Sequence, residues 1–95
     1  MINELFSIIL DRKTNPQPGS YTNKLLDASP DIILQKIGEE SIEVILATKG
    51  QGQIRLIEET SDLIYHTLVL LVRMGIDLSE VEDELRRRHN TPKVK

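Results

Sequence analysis

The chain has 95 residues, 39% of them hydrophobic and 28% charged, which allows one domain and excludes a disordered or membrane-embedded class. It holds no cysteine, so disulfides, thiolate metal sites and cysteine nucleophiles are excluded, and the cytoplasm is the expected compartment. A net charge of −3 and a lack of aromatic stacking platforms (Phe6, Tyr21 and Tyr65 only) argue against nucleic acid as a partner.

The first segment, MINELFSIILDR, carries Glu4 and no basic start, so it does not read as a secretory signal. Ile2, Leu5, Phe6 and Ile9 recur at helical spacing and predict a helix over 2–12. The stretch DRKTNPQPGS is rich in proline and small polar residues, which predicts a loop, followed by a short turn of helix from Ser20 to Asp27. Ser29-Pro30 is a serine cap with proline in the first turn, and starts a helix that should run to about Lys49 and stop at Gly50. After a QGQ connector, a helix from about Gln53 to Met74 ends before Gly75, which suits the position after a helix cap. Ser79 with Glu82 reads as a capping box opening a last helix over 79–89. The tail TPKVK is expected to fray.

No apolar run approaches the ~20 residues of a membrane span. The expected fold is therefore all-α, one domain over 1–95 with its core at about 2–90. A chain this short buries only about 60–65% of its unfolded surface, so a lone monomer would be marginal. The expected architecture is a four-helix-type bundle completed by homodimerisation. Helices over 30–49 and 53–74 are apolar on several sides (Ile42, Ile45, Leu46; Ile57, Ile64, Leu68, Leu71), which suits a dimer interface as well as a core.

The acids on those two helices stand on the wrong face. At 100° per residue, Ile33, Ile37, Val44 and Ala47 all fall within ~60° of Glu40, and Leu56, Leu63 and Leu70 within ~60° of Glu59. Glu43 and Asp62 lie about a turn further on the same stripes. The short connector makes the two helices antiparallel neighbours, so Glu40/Glu43 and Glu59/Asp62 could share one pocket. Four carboxylates ~6 Å apart at an effective dielectric of ~20 would repel by ~15 kcal/mol as an upper figure. Such a cluster must take up protons or hold cations, and oxygen ligands point to magnesium rather than zinc. The bland alternative is a pair of solvated or salt-bridged helix faces.

Other residues admit two readings each. His66 shares the acid stripe and could be a metal ligand, a phosphate contact or a hydrogen-bonded core histidine. Lys36 could simply pair with Glu40 one turn on. The basic run Arg86, Arg87, Arg88, His89 could offset the helix dipole or clamp an anion. Tyr21 sits where loop passes into helix, as core or as a lid contact.

EESIE at 39–43, fifteen residues, then ETSD at 59–62 resembles the EExxE…ExxD signature of the all-α nucleoside triphosphate pyrophosphohydrolases, the MazG-like superfamily. SYTNKL at 20–25, QKIGEESIEVILA at 35–47, EETSDLIYHTLVLL at 58–71 and LSEVEDELRRRH at 78–89 resemble the phosphoribosyl-ATP pyrophosphohydrolase family of histidine biosynthesis, in order and over most of the chain. The resemblance implies Mg²⁺-dependent hydrolysis of 1-(5-phosphoribosyl)-ATP, a small nucleotide, to 1-(5-phosphoribosyl)-AMP and pyrophosphate, the second step of that pathway, by a helical dimer. It implies Glu40, Glu43, Glu59 and Asp62 as metal ligands. Glu39, or one of the ligand carboxylates such as Glu40, would be the base. Lys36, Tyr21, Thr22, His66, Arg86 and Arg87 would meet phosphates or ribose. Many relatives carry glycine just before the metal-binding helix, where this chain has Ser29-Pro30, which bears on the local loop rather than the chemistry. A fused phosphoribosyl-AMP cyclohydrolase module, found in some members, is not expected in these 95 residues, which hold no cysteine for its zinc, and the resemblance allows a functional link to a separate one. The rival readings are a house-cleaning nucleotide hydrolase of the same superfamily, which often carries an N-terminal tryptophan that this chain lacks, and a non-catalytic helical dimerisation module.

Overall fold

A computed structural model of the chain describes residues 1–90, and the expected fraying of TPKVK concerns residues outside that range. Every regular element among the described residues is helical: α1 (Ile2–Thr14), α2 (Tyr21–Asp27), α3 (Pro30–Leu46), α4 (Gln53–Arg73) and α5 (Leu78–His89). The all-α expectation holds.

Local chemistry sets the boundaries. α1 outlasts its expected end by two residues because Asp11 gathers the chain beyond it. Its carbonyl accepts the Asn15 N–H at 2.7 Å and its carboxylate accepts the Asn15 amide at 2.8 Å. Pro16 then disfavours helix at Asn15, which leaves the helical region (φ −124°, ψ 73°). Ser20 accepts the Asn23 N–H at 3.2 Å and starts α2; Ser29 accepts the Asp31 N–H at 3.3 Å and starts α3, as the cap residues predict.

α3 ends at Leu46, earlier than expected, and the chain widens into a looser turn over Ala47–Gln51. Two glycines make the reversal, Gly50 at φ 128° and Gly52 at φ 93°, where a side chain would be strained. α4 closes as expected on Gly75 (φ 74°): Gly75 N–H reaches the Val72 carbonyl at 3.1 Å and Ile76 N–H the Leu71 carbonyl at 2.9 Å.

The start of α5 departs from expectation. The capping box uses Asp77 and Glu80, not Ser79 and Glu82: Asp77 accepts the Ser79 N–H at 3.1 Å, and Glu80 accepts the Asp77 N–H at 3.0 Å. The earlier start puts Leu78 in the first turn, where it is buried. A carboxylate cap also suits the positive helix end.

α4 is the central element. Its Leu68, Val69 and Val72 meet Phe6 and Ile9 of α1, Leu25 of α2, Ile33 of α3 and Leu78 of α5 in one core. α3 and α4 form the most extensive helix pair, joined by the short reversal as antiparallel neighbours. Of α5, only Leu78 is buried in the core. The radius of gyration is 15.0 Å, against about 12 Å for a compact chain of this length. Several apolar side chains that the periodicity could have assigned to a core face water instead, among them Ile42, Ile45, Leu46 and Ile57.

Candidate active site

The polar centre of the fold lies where α2, α3 and α4 meet. His66, placed on the inner face of α4 two turns after Glu59, is only 5% exposed. Its Nδ1 lies 2.6 Å from Glu40 Oε1 on α3 and 2.9 Å from the Asp62 carbonyl one turn back. Its Nε2 lies 2.9 Å from the Tyr21 hydroxyl on α2. Of the readings left open, the hydrogen-bonded core histidine is the one the geometry matches. Tyr21 stacks on Tyr65 with ring centres 6.2 Å apart, and both meet the imidazole edge-on. Beside them, Thr22 hydrogen-bonds Tyr65 hydroxyl to hydroxyl. Two side-chain links therefore pin the first turn of α2 to the middle of α4.

Of the four expected ligands, Glu59 is buried, Glu40 and Glu43 are half-buried and Asp62 is exposed. Burial is the main cause that raises the Glu40 carboxyl above its ordinary range. His66 opposes the shift, and the charges of Asp62 and Glu59 add to it. Burial raises the Tyr21 hydroxyl too, helped by Tyr65, Glu40 and Asp62. Glu40, Glu59 and Asp62 thus lie within reach of one another's fields across the α3–α4 seam.

They are not gathered about one point. Among the described residues, no three acid or histidine groups are spaced to hold a metal ion. Glu40 is engaged by His66, and Glu59 accepts an ion pair from Arg55 at 3.0 Å. Glu40 and Glu59 each have a polar or cationic partner, which offsets part of the mutual repulsion of the acids. The donor set still suits a hard divalent cation. Its oxygens stand on two rigid, adjacent helices, and they concentrate negative charge where Glu40 is already costly to ionise.

Arg55 is a neighbour that helical spacing puts on the Glu59 stripe. Its signal was visible: it precedes Glu58 by three residues and Glu59 by four, and it bonds both. Lys36 was the expected partner of Glu40, but among the described residues no ion pair joins them, and Glu40 bonds His66 across the α3–α4 seam instead. Glu39 is exposed and accepts the Gln35 amide at 3.2 Å. Arg86 bonds Asp83 at 2.8 Å, while Arg87 and Arg88 bond Glu84 at 2.6 and 2.8 Å, all within α5.

No helix among the described residues is long and apolar enough to cross a membrane. A family model described as phosphoribosyl-ATP pyrophosphohydrolase matches residues 2–89. The chain is 48% identical over 89 residues to the phosphoribosyl-ATP pyrophosphatase of Clostridium acetobutylicum, covering 94% of this chain and 81% of that one. It is 52% identical over 87 residues to the enzyme of that name from Leuconostoc mesenteroides, covering 92% and 75%. It is also 46% identical over 89 residues to the histidine biosynthesis bifunctional protein HisIE of Caldanaerobacter subterraneus, covering 94% of this chain and 43% of that one.

Proposed function

The chain belongs to the phosphoribosyl-ATP pyrophosphohydrolase family, and from that premise we propose that it hydrolyses 1-(5-phosphoribosyl)-ATP to 1-(5-phosphoribosyl)-AMP and pyrophosphate, in the second step of histidine biosynthesis. The observation that carries the reading is the seam of α3 and α4, where Glu40, Glu59 and Asp62 share one electrostatic environment on the family's own acid motif.

Water attacks the α-phosphorus, the α–β phosphoanhydride P–O bond breaks, and pyrophosphate leaves with the electron pair. Magnesium, held by Glu40, Glu43, Glu59 and Asp62, would supply charge neutralisation on the triphosphate and a more acidic water. Glu39 and Glu40 are the two acceptors for the proton that water loses. Glu39 stands one residue from the ligand and open to solvent; burial raises the Glu40 carboxyl above its ordinary range. Lys36, half-buried one turn before Glu40, would meet phosphate. Tyr21 and Thr22 at the lip of α2 would border the ribose side, and His66 would reach the substrate through Tyr21. Arg86 and Arg87 would act from α5 on the outer phosphates, exchanging their present carboxylates for the ligand.

A homodimer is part of the proposal. What supports it is the apolar side of the α3–α4 hairpin, where Ile42, Ile45 and Ile57 are each close to 60% exposed. Ile57→Glu should shift the chain from dimer to monomer in analytical ultracentrifugation. Within the same pathway, a separate phosphoribosyl-AMP cyclohydrolase would receive the product; the similarity to a bifunctional histidine-biosynthesis protein is in keeping with such a link.

The deciding test is pyrophosphate release with magnesium, comparing phosphoribosyl-ATP with a panel of dNTPs. Preference for dNTPs would transfer the chain to house-cleaning chemistry. Single alanine changes at Glu40, Glu43, Glu59 and Asp62 test the ligand set: if any two keep near-normal turnover, that assignment is wrong.

A further inference from the structure

His66, on α4, bonds side chains of both α2 and α3. Both of its ring nitrogens are engaged, and it is almost wholly buried. The Asp62 carbonyl can only accept, so Nδ1 carries a proton and shares it between that carbonyl and Glu40 Oε1. With Nδ1–H as the only ring proton, Nε2 is an acceptor for the Tyr21 hydroxyl, 2.9 Å away. A directed chain follows: Tyr21 O–H to Nε2, then Nδ1–H to Glu40. One oxygen of Glu40 is fixed and its partner oxygen is left for another ligand.

We propose that His66 is a positioning residue, which orients the Glu40 carboxylate for a divalent cation and couples that orientation to the Tyr21 end of α2. The proposal rests on the reading that Glu40 is a cation ligand. Its logic is general: a donor behind a ligating carboxylate sets which oxygen is free and how the group is turned, and losing it weakens metal binding about 10–100-fold. The Tyr21 link adds a further consequence. Tyr21 is about half exposed at the mouth of the site, so whatever touches its ring also touches the hydrogen bond that aligns His66.

The two ring nitrogens can be separated. An asparagine amide mimics the Nδ1–H position and keeps the donor to Glu40. A glutamine amide reaches the Nε2 position and loses it. The probe is Mn²⁺ alone, titrated into the full chain and followed by the electron paramagnetic resonance signal of the free ion. His66→Gln and His66→Ala should weaken Mn²⁺ binding about tenfold or more. His66→Asn should restore it to within about threefold, and Tyr21→Phe should weaken it by about two- to fivefold, both below the range for losing the donor outright. Folding of each variant is followed by helical circular dichroism; where His66→Ala does not fold, the Asn and Gln pair decides. Equal affinity for the Asn and Gln variants, while Glu40→Gln binds weakly, would overturn the positioning role and leave the ligand reading intact. Unchanged binding by Tyr21→Phe would overturn the coupling to α2. Undiminished binding by Glu40→Gln, or no Mn²⁺ binding by the unsubstituted chain, would instead overturn the ligand reading itself.

Discussion

Glu40 and Glu84 each hold a nitrogen partner at 2.6 Å, yet their carboxyls move in opposite directions. Glu84, on the exposed face of α5, accepts hydrogen bonds from Arg87 and Arg88, which pull its carboxyl down to about 2. Glu40, in the seam of α3 and α4, is raised, because burial and the charges of Asp62 and Glu59 outweigh the help from His66. The bond lengths are alike; the solvent is not. Where water surrounds a pair, the hydrogen bond decides the ionisation. Where water is thin and other acids are near, desolvation decides it, and the pair is left able to exchange its partner for something more strongly charged.

The largest effect should come from removing that poised charge. Glu40→Gln, Glu59→Gln and Asp62→Asn should each lower phosphoribosyl-ATP turnover by about 10²–10³-fold, as expected when a group acting on transition-state charge is removed. Stability should move the other way for Glu40→Gln. The folded Glu40 carboxyl titrates above its unfolded value, so its favourable contribution is complete below pH ~4.5 and is lost as pH rises through the raised value. At neutral pH and without divalent ions, Glu40→Gln should therefore melt at or above the parent temperature while remaining inactive. A Glu40→Gln chain that is both inactive and clearly less stable would place Glu40 in the structural framework rather than in a strained site.

Arg55 provides the next test, of intermediate size. Its partner Glu59 has a side chain 9% exposed, whereas Arg55 itself is about half exposed. Arg55→Met keeps the apolar stem and removes the cation, leaving a buried carboxylate without its partner. The expected cost is ~1–3 kcal/mol by urea unfolding in metal-free buffer. Magnesium should recover part of that loss if Glu59 binds the ion, and recovery should be absent in Arg55→Met combined with Glu59→Gln.

How far these differences could be read in advance depended on whether they were local. Helix starts at Ser20 and Ser29 and the stop at Gly75 are set by groups within a few residues, and they stand where the chain predicts them. The start of α5 is local too, but Asp77 and Ser79 compete for one role, and burial of Leu78 favours Asp77. The helical wheel put acids and His66 on the apolar stripes. It could not pair Glu40 with His66, 26 residues away, because that choice depends on the relative rotation of α3 and α4. Nor could it separate Ile57, exposed, from Leu68, buried, since both fall on the same side of α4 at 100° per residue, and what packs along that side distinguishes them.

The smallest effect belongs to α5, and it runs with the opposite sign in pH. The Glu84 carboxyl is depressed from its ordinary value to about 2 by Arg87 and Arg88. Its contribution is therefore present above pH ~4.5 and is lost as pH falls from there toward 2. Because the group is exposed, salt screens the same interaction, and the loss should be shallower at 1 M salt than at low salt. Glu84→Gln should flatten that acid limb of the helical circular dichroism signal, with little change at neutral pH and no change in turnover. If turnover fell with Glu84→Gln at neutral pH, the arginines of α5 would be held in place for the substrate by Glu84. Arg87 would then need Glu84 to reach the phosphates rather than trading it for them, and the contrast with the α3–α4 seam would be one of degree only.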